Sequence, residues 1–348
     1  MSRVGAGAAT PLLLGAVCAC ASSQTPPRDR TPPVFYHPST VGSEATYDPL
    51  ASTMQYTLDS VQVQQFTTQD YDEHLDTVVD HLLDPVAAIE REGGWVKFVN
   101  TQIFPIDPKH LRDSRAILPN VALHGFGGGL LYRKDAEWFE AHGVQDPYVV
   151  SGVLAMTSEV LAEAIEKPVT HDTDEIGDVD IWRPIGIWFY SDDERARWVQ
   201  RTFDPVDWPN LLMWSVKDGE FANTGVNYVI RPRWFGDGPT RPFVSMGMTT
   251  LFGLSHAISD GDAISWGVGT TTLAANPVDL RGSAGIYYDR DKSLLASVIF
   301  NGGEAYAVRA NVYPGVLFGS ALGLFAGLTD DGDFAIGIHY RLPVGVAR

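Results

Sequence analysis

His124, Glu159 and Glu163 are the residues of this chain whose types and spacing could do chemistry. The two glutamates fall four apart in the apolar run from Pro147 to Glu166, so on a helix they share one stripe. A carboxylate with no partner in such a run costs several kcal/mol, and each must therefore meet a cation. His124, Arg133 and Arg183 are the natural ones, with Asp178 and Asp180 forming an acidic rim around the IWRPIG segment. His124 stands about twenty-two residues before a chain reversal near Asp146 and Glu163 about seventeen after it, so at roughly 1.5 Å per residue an antiparallel helix pair brings them within reach. A buried His between carboxylates has its charged form favoured. One imidazole and two carboxylates can hold a divalent ion, and the same groups can equally satisfy one another as a structural ionic network. These residue types favour the network, with no metal and no cofactor expected.

The same stretch, LHGFGGGLLYRKDAEWFEAHG, admits a second reading. His124-Gly125-Phe126-Gly127-Gly128 resembles the oxyanion loop of alpha/beta-hydrolases. That resemblance implies a Gly-x-Ser-x-Gly elbow, because the nucleophile must sit on a strained strand-to-helix turn. The chain has no such elbow, and Ser151 lies in a helical apolar run. Gly125, Gly128 and Gly129 are instead read as a smooth helix patch that lets a neighbouring helix approach closely. Gly152 and Ala155 offer small residues on the facing helix.

These residues must be positioned by helices, and the hydrophobic spacing supplies them. Leu75, Val78, Val79, Leu82, Val86 and Ile89 recur at helical spacing after a start at Thr67 and Thr68, with a bend at Pro85. Further helices are expected over Pro119 to His142, Pro147 to Glu166 and Asp180 to Tyr190. A fifth starts at the capping box Ser191-Asp192-Asp193-Glu194 and ends at Phe203 and Pro205. His74 and His81, among Asp76, Asp80 and Asp84, read as part of a solvated acidic face. Near residue 220 the period changes to two. Phe334, Ile336, Ile338, Tyr340 and Leu342 alternate with Ala335, Gly337, His339 and Arg341, and turn signals such as Ser259-Asp260-Gly261, Asn301-Gly302-Gly303 and Asp330-Asp331-Gly332 recur. The fold class expected is α+β: a helical domain over 61–220, then an antiparallel meander of about eight strands over 221–348, forming a barrel. Its bulky strand face meets lipid if the barrel is membrane-inserted and forms the core if it is soluble.

Composition bounds what such a protein can do. With 43 acidic against 25 basic residues the formal charge is -18, which argues against a nucleic-acid partner. Only two cysteines occur, Cys18 and Cys20, so the folded part has neither disulfide nor thiolate site. They lie in a leader, residues 1–21, with a basic start, an apolar middle and small residues at its end. Val17-Cys18-Ala19-Cys20 resembles the lipobox of bacterial lipoproteins, which implies acylation at Cys20. Simple cleavage after Ala19 or Ala21 would release a soluble protein instead. Residues 22–60 read as a tether and extended segment. The order of a His/Gly helix, a Glu-bearing helix, an Asp-containing loop and a strand-rich half is similar to an uncharacterised family of bacterial envelope proteins, over about a third of the chain. That similarity implies helices beside a barrel and no particular activity. The expected protein is a lipoprotein on the periplasmic side of the outer membrane, held to membrane lipid by its acyl chains and able to meet other envelope proteins, with a structural or ligand-binding role. The alternative is an envelope hydrolase or metal-dependent enzyme acting on lipid or cell-wall substrate, with His124 as base or ligand.

Overall fold

The computed structural model describes residues 32–63, 66, 68–107, 116–167, 173–236, 238–275, 278–301, 306–317, 319, 321–340 and 342–348. The leader with Cys20, Thr67 and the Gly302-Gly303 turn lie outside them. Helices come first: α1 (Pro49–Thr57), α2 (Tyr71–Leu83), α3 (Pro85–Arg91), α4 (Gly94–Phe98), α5 (Gly128–Ala141), α6 (Pro147–Glu166), α7 (Asp174–Gly177), α8 (Arg183–Tyr190) and α9 (Asp193–Phe203). Three π-helical stretches, Val99–Ile103, Ala116–Gly127 and Asp178–Trp182, lead out of or into these.

Local chemistry sets the helix starts. Asp48 accepts a hydrogen bond from the Ala51 amide, and Pro49 takes the first turn, where its missing donor costs nothing. The same device, Asp84 accepting from the Ala87 amide ahead of Pro85, begins α3. Pro85 thus separates two helices rather than bending one, because a proline inside a helix removes a bond and clashes with the preceding turn. At α9 the cap is Asp192, accepting from the Arg195 amide, and not Ser191. Helix α1 falls in the segment expected to be extended.

The strands begin at Val206, ahead of the change in spacing near residue 220. They are β1 (Val206–Pro209), β2 (Met213–Ser215), β3 (Glu220–Ala222), β4 (Val226–Ile230), β5 (Thr240–Met246), β6 (Thr249–Ala257) and β7 (Asp262–Ala275). Then follow β8 (Val278–Arg290), β9 (Ser293–Asn301), β10 (Val308–Val312), β11 (Leu322–Leu328), β12 (Phe334–Tyr340) and β13 (Gly345–Ala347). Among the described residues one thirteen-stranded sheet has the order β1-β4-β5-β6-β7-β8-β9-β10-β11-β12-β13-β2-β3. This exceeds the eight strands expected, and the order does not close on itself. Nor is the sheet wholly antiparallel: β13 and β2 run parallel, with Val346 opposite Trp214. The short strands β1, β2, β3 and β13 carry too little alternation to be read from spacing.

The sheet is curved. Trp208, Met213, Val229, Phe243, Tyr287 and Phe325, from strands all along the order, share one buried cluster. Gly253, Gly267 and Gly285 are successive partners across β6, β7 and β8, and a Cβ at Gly253 would overlap the Trp266 carbonyl. A glycine row of this kind lets neighbouring backbones bend sharply.

Val226 and Tyr228 of β4 point away from that cluster, as residues of alternate parity must, and pack with Leu123, Leu131, Tyr132 and Tyr56. The helices therefore cover the outer face of one end of the sheet. Lys134 of α5 locks this junction: its ammonium, 1% exposed, donates to Glu44 at 2.7 Å and to Asp207 of β1 at 2.6 Å. Replacing Lys134 with Met would leave two buried carboxylates uncompensated. We expect K134M to lower unfolding free energy by ~3–5 kcal/mol in denaturant titrations, and a loss below about 1 kcal/mol would contradict this role for the bridge.

Candidate functional site

The π-helical stretches converge on one point. Asn120, from the second, donates its amide to Gln102 Oε1 of the first at 3.0 Å, and Trp182 of the third donates Nε1 to the Gln102 carbonyl at 2.8 Å. π-Turns recur at functional sites because the widened backbone re-aims side chains. Here they deliver His124 and Asp178 to the side of α6 that carries Glu159 and Glu163.

Glu159 is the hub. Its Oε2 accepts a hydrogen bond from Tyr56 Oη at 2.7 Å and lies 2.5 Å from Arg183 Nε. Its Oε1 lies 2.5 Å from His124 Nδ1. The guanidinium of Arg183 also sits over the Tyr56 ring, 4.1 Å from its centroid. Burial alone would raise the Glu159 carboxyl, but Arg183, then His124 and Tyr56, outweigh it and hold it at about 2. An ionised carboxylate only accepts, so the His124 Nδ1 carries a proton. The opposite ring nitrogen, Nε2, faces Asp178 Oδ2 at 3.6 Å.

Glycine makes room for this packing. A Cβ at Gly128 would overlap the Arg183 guanidinium, one at Gly129 would strike the Tyr190 ring, and one at Gly186 would strike the Gly125 carbonyl. Gly125 itself has space: its Cβ would meet Asn120 and Trp182 at an ordinary 3.7 Å. It serves as the surface approached, while Gly186 supplies the missing side chain.

Glu163, one turn along α6, is different. It is 2% exposed, yet among the described residues its carboxylate has no hydrogen bond or ion pair. Burial first, then the neighbouring charges of Glu166 and Glu159, push its carboxyl well above the ordinary range. Its carboxylate joins those of Asp174 and Asp178, also buried, in a group whose oxygens lie within 4.8 Å of one another. On the far side of this group, Glu175 accepts from Lys167 Nζ at 2.9 Å and pairs with His81.

His124, Glu159, Glu163, Asp178 and Arg183 are thus brought together, whereas Asp180 is exposed and turned away. Arg133 binds Glu137 and Asp193 instead of the α6 glutamates. His81, expected on a solvated face, is buried on Glu175, because α2 packs that side against α7 and α6. Ser151 is buried, its hydroxyl donating to the Tyr132 carbonyl at 2.6 Å. Tyr56, Asp174, Glu175 and Lys167 were not anticipated. Tyr56 sits on a helix in the segment read as extended, and only the density of acids in HDTDEIGD hinted at Asp174 and Glu175. Comparison with known proteins found no matching family model, curated protein or solved structure.

Two outcomes follow from this geometry. A carboxyl held near 2 contributes stability that is present above its unfolded value near 4.5 and is lost as pH falls through about 2. Glu159 should therefore supply about 3 kcal/mol that disappears over this window, and E159Q should flatten the acid limb of a pH–stability curve. Among the glycines, G128A and G186A should each cost more than about 2 kcal/mol, whereas G125A should stay within about 1 kcal/mol in the same unfolding assay.

Proposed function

We propose that this protein is an envelope membrane protein. In this reading the curved sheet is a barrel seated in a lipid bilayer, the helices flank it, and acylated Cys20 adds a second attachment. Its role is structural or ligand-binding. The observation that carries the reading is which strand face is bare. Phe252, Val268, Ile286, Phe300, Ile338 and Val346, on β6, β7, β8, β9, β12 and β13, are between 46% and 68% exposed. The opposite faces of these strands bury Ser255, Ser265, Ser283, Ser297 and His339 beside Leu251, Tyr287 and Ile299. A water-soluble sheet buries its bulky face and wets its polar one. An apolar surface running over this many strands exceeds what a soluble monomer leaves in water, while the hydroxyls, Asn311 and Arg309 enclosed beside the aromatic cluster fit the polar interior of a bilayer-spanning sheet.

Length and connectivity lend further support. β7 and β8 have 14 and 13 residues, above the roughly 9 to 11 that a tilted spanning strand needs. β1 and β2, near opposite ends of the sheet order, are joined in the chain by only Asn210, Leu211 and Leu212, and Tyr313 Oη donates across to the Pro209 carbonyl. The same short stretch thus bonds to β4 on one side and β13 on the other, as a returning barrel requires.

Removing the acyl anchor separates this reading from that of a soluble barrel on a lipid leash. Cys20→Ala should remain in the membrane pellet after alkaline carbonate extraction, and Trp266 fluorescence should be quenched by lipids brominated on their chains. Release of the variant into the soluble fraction, as a monodisperse species without detergent, would sink the proposal. Ile338→Lys should lower folding stability in vesicles by roughly 2–4 kcal/mol.

A further inference from the structure

We propose that Glu163, Asp174 and Asp178 together hold one hard divalent cation, of the Mn2+, Mg2+ or Ca2+ kind, at the foot of α6. Three carboxylates with their oxygens within 4.8 Å of one another repel strongly where water is excluded. Asp174 and Asp178 have partners of their own, His124 among them for Asp178, and the charge left over must be met by a proton or a cation. All-oxygen donors select hard divalent ions over zinc or copper.

The clustering alone would not distinguish an ion from shared protons, and two further features favour the ion. Glu163 is 2% exposed and, among the described residues, its carboxylate has no hydrogen bond or ion pair although it belongs to the group. Glutamates buried for structural reasons find donors, as Glu159 does with Tyr56, Arg183 and His124 and as Glu175 does with Lys167. The second feature is His124. Its Nδ1–H donates to Glu159, which turns Nε2 toward Asp178 at 3.6 Å. Carboxylates that ligate a metal are in turn held by outer-shell partners, and His124, itself held by Glu159, is placed to hold Asp178. Here that shell is complete: Arg183 and Tyr56 fix Glu159, Glu159 fixes His124, and His124 borders the carboxylates. The cation would tie α7 and the Asp178–Trp182 turn to α6, joining the two sides of the helical layer. This inference does not depend on the bilayer reading.

The test uses the full chain, purified in detergent and stripped with a chelator. Loss of the free Mn2+ electron paramagnetic resonance signal and calorimetric titration with Ca2+ should each report about one ion per chain. Glu163→Gln should weaken binding by more than about tenfold, while Glu73→Gln, on the exposed acidic face of α2, should leave it unchanged. In chelator, Glu163→Gln should melt no lower than the native chain, since it removes a buried charge, which keeps loss of binding distinct from loss of fold. Failure of the stripped native chain to take up either ion would overturn the proposal whatever the variants do, as would binding that Glu163→Gln and Asp178→Asn leave intact.

Discussion

A charge removed from water has to be answered at close range, and the helical layer is organised by that requirement. Glu159 is fully enclosed, and Arg183, Tyr56 and His124 each reach it from a different element. The reach of Arg183 exists only because Gly128 leaves its guanidinium room. Gly186 and Gly129 bring α8 close enough for that reach, and the π-helical stretches set where His124 and Asp178 emerge. Lys134, held between Glu44 and Asp207, repeats the logic where helices meet the sheet. Ion pairs this deep add less net stability than their number suggests, because desolvation offsets the attraction. What they supply is discrimination: any other arrangement of the helices would strand a charge.

The sheet obeys the opposite economy of surfaces. Its enclosed side is lined by hydroxyls, amides and glycines around a central aromatic cluster, and its open side is apolar. The helices cover only the outer face near β4 and β5. Charges that fall on the long strands are answered by partners there, Asp262 by Arg290 on the open side and Asp289 by Arg231 on the enclosed one.

Much of this was legible in the residues, and the remainder failed for identifiable reasons. The apolar run with Glu159 and Glu163 announced α6 to the residue, since proline at its start and the helical stripe agree. The alternation of β7, β11 and β12 was equally plain. Alternation is symmetric, however, and cannot say which face is inside; only curvature decides that. The short strands hid because three or four residues carry no period. Tyr56 and Asp174 hid because their neighbours give weak local patterns, so that their importance comes from what lies across space. His81 was misread because a helix face rich in Asp looks wet until a second helix is known to lie against it.

The parallel contact of β13 with β2 has a bearing on how the molecule is made. Val346 comes after every hairpin of the sheet, and its partner Trp214 comes before nearly all of them. Each hairpin between them can form as it emerges, but this seam waits for β13. A nascent chain that has not yet reached β13 would therefore carry an unzipped margin, open to pairing with strangers.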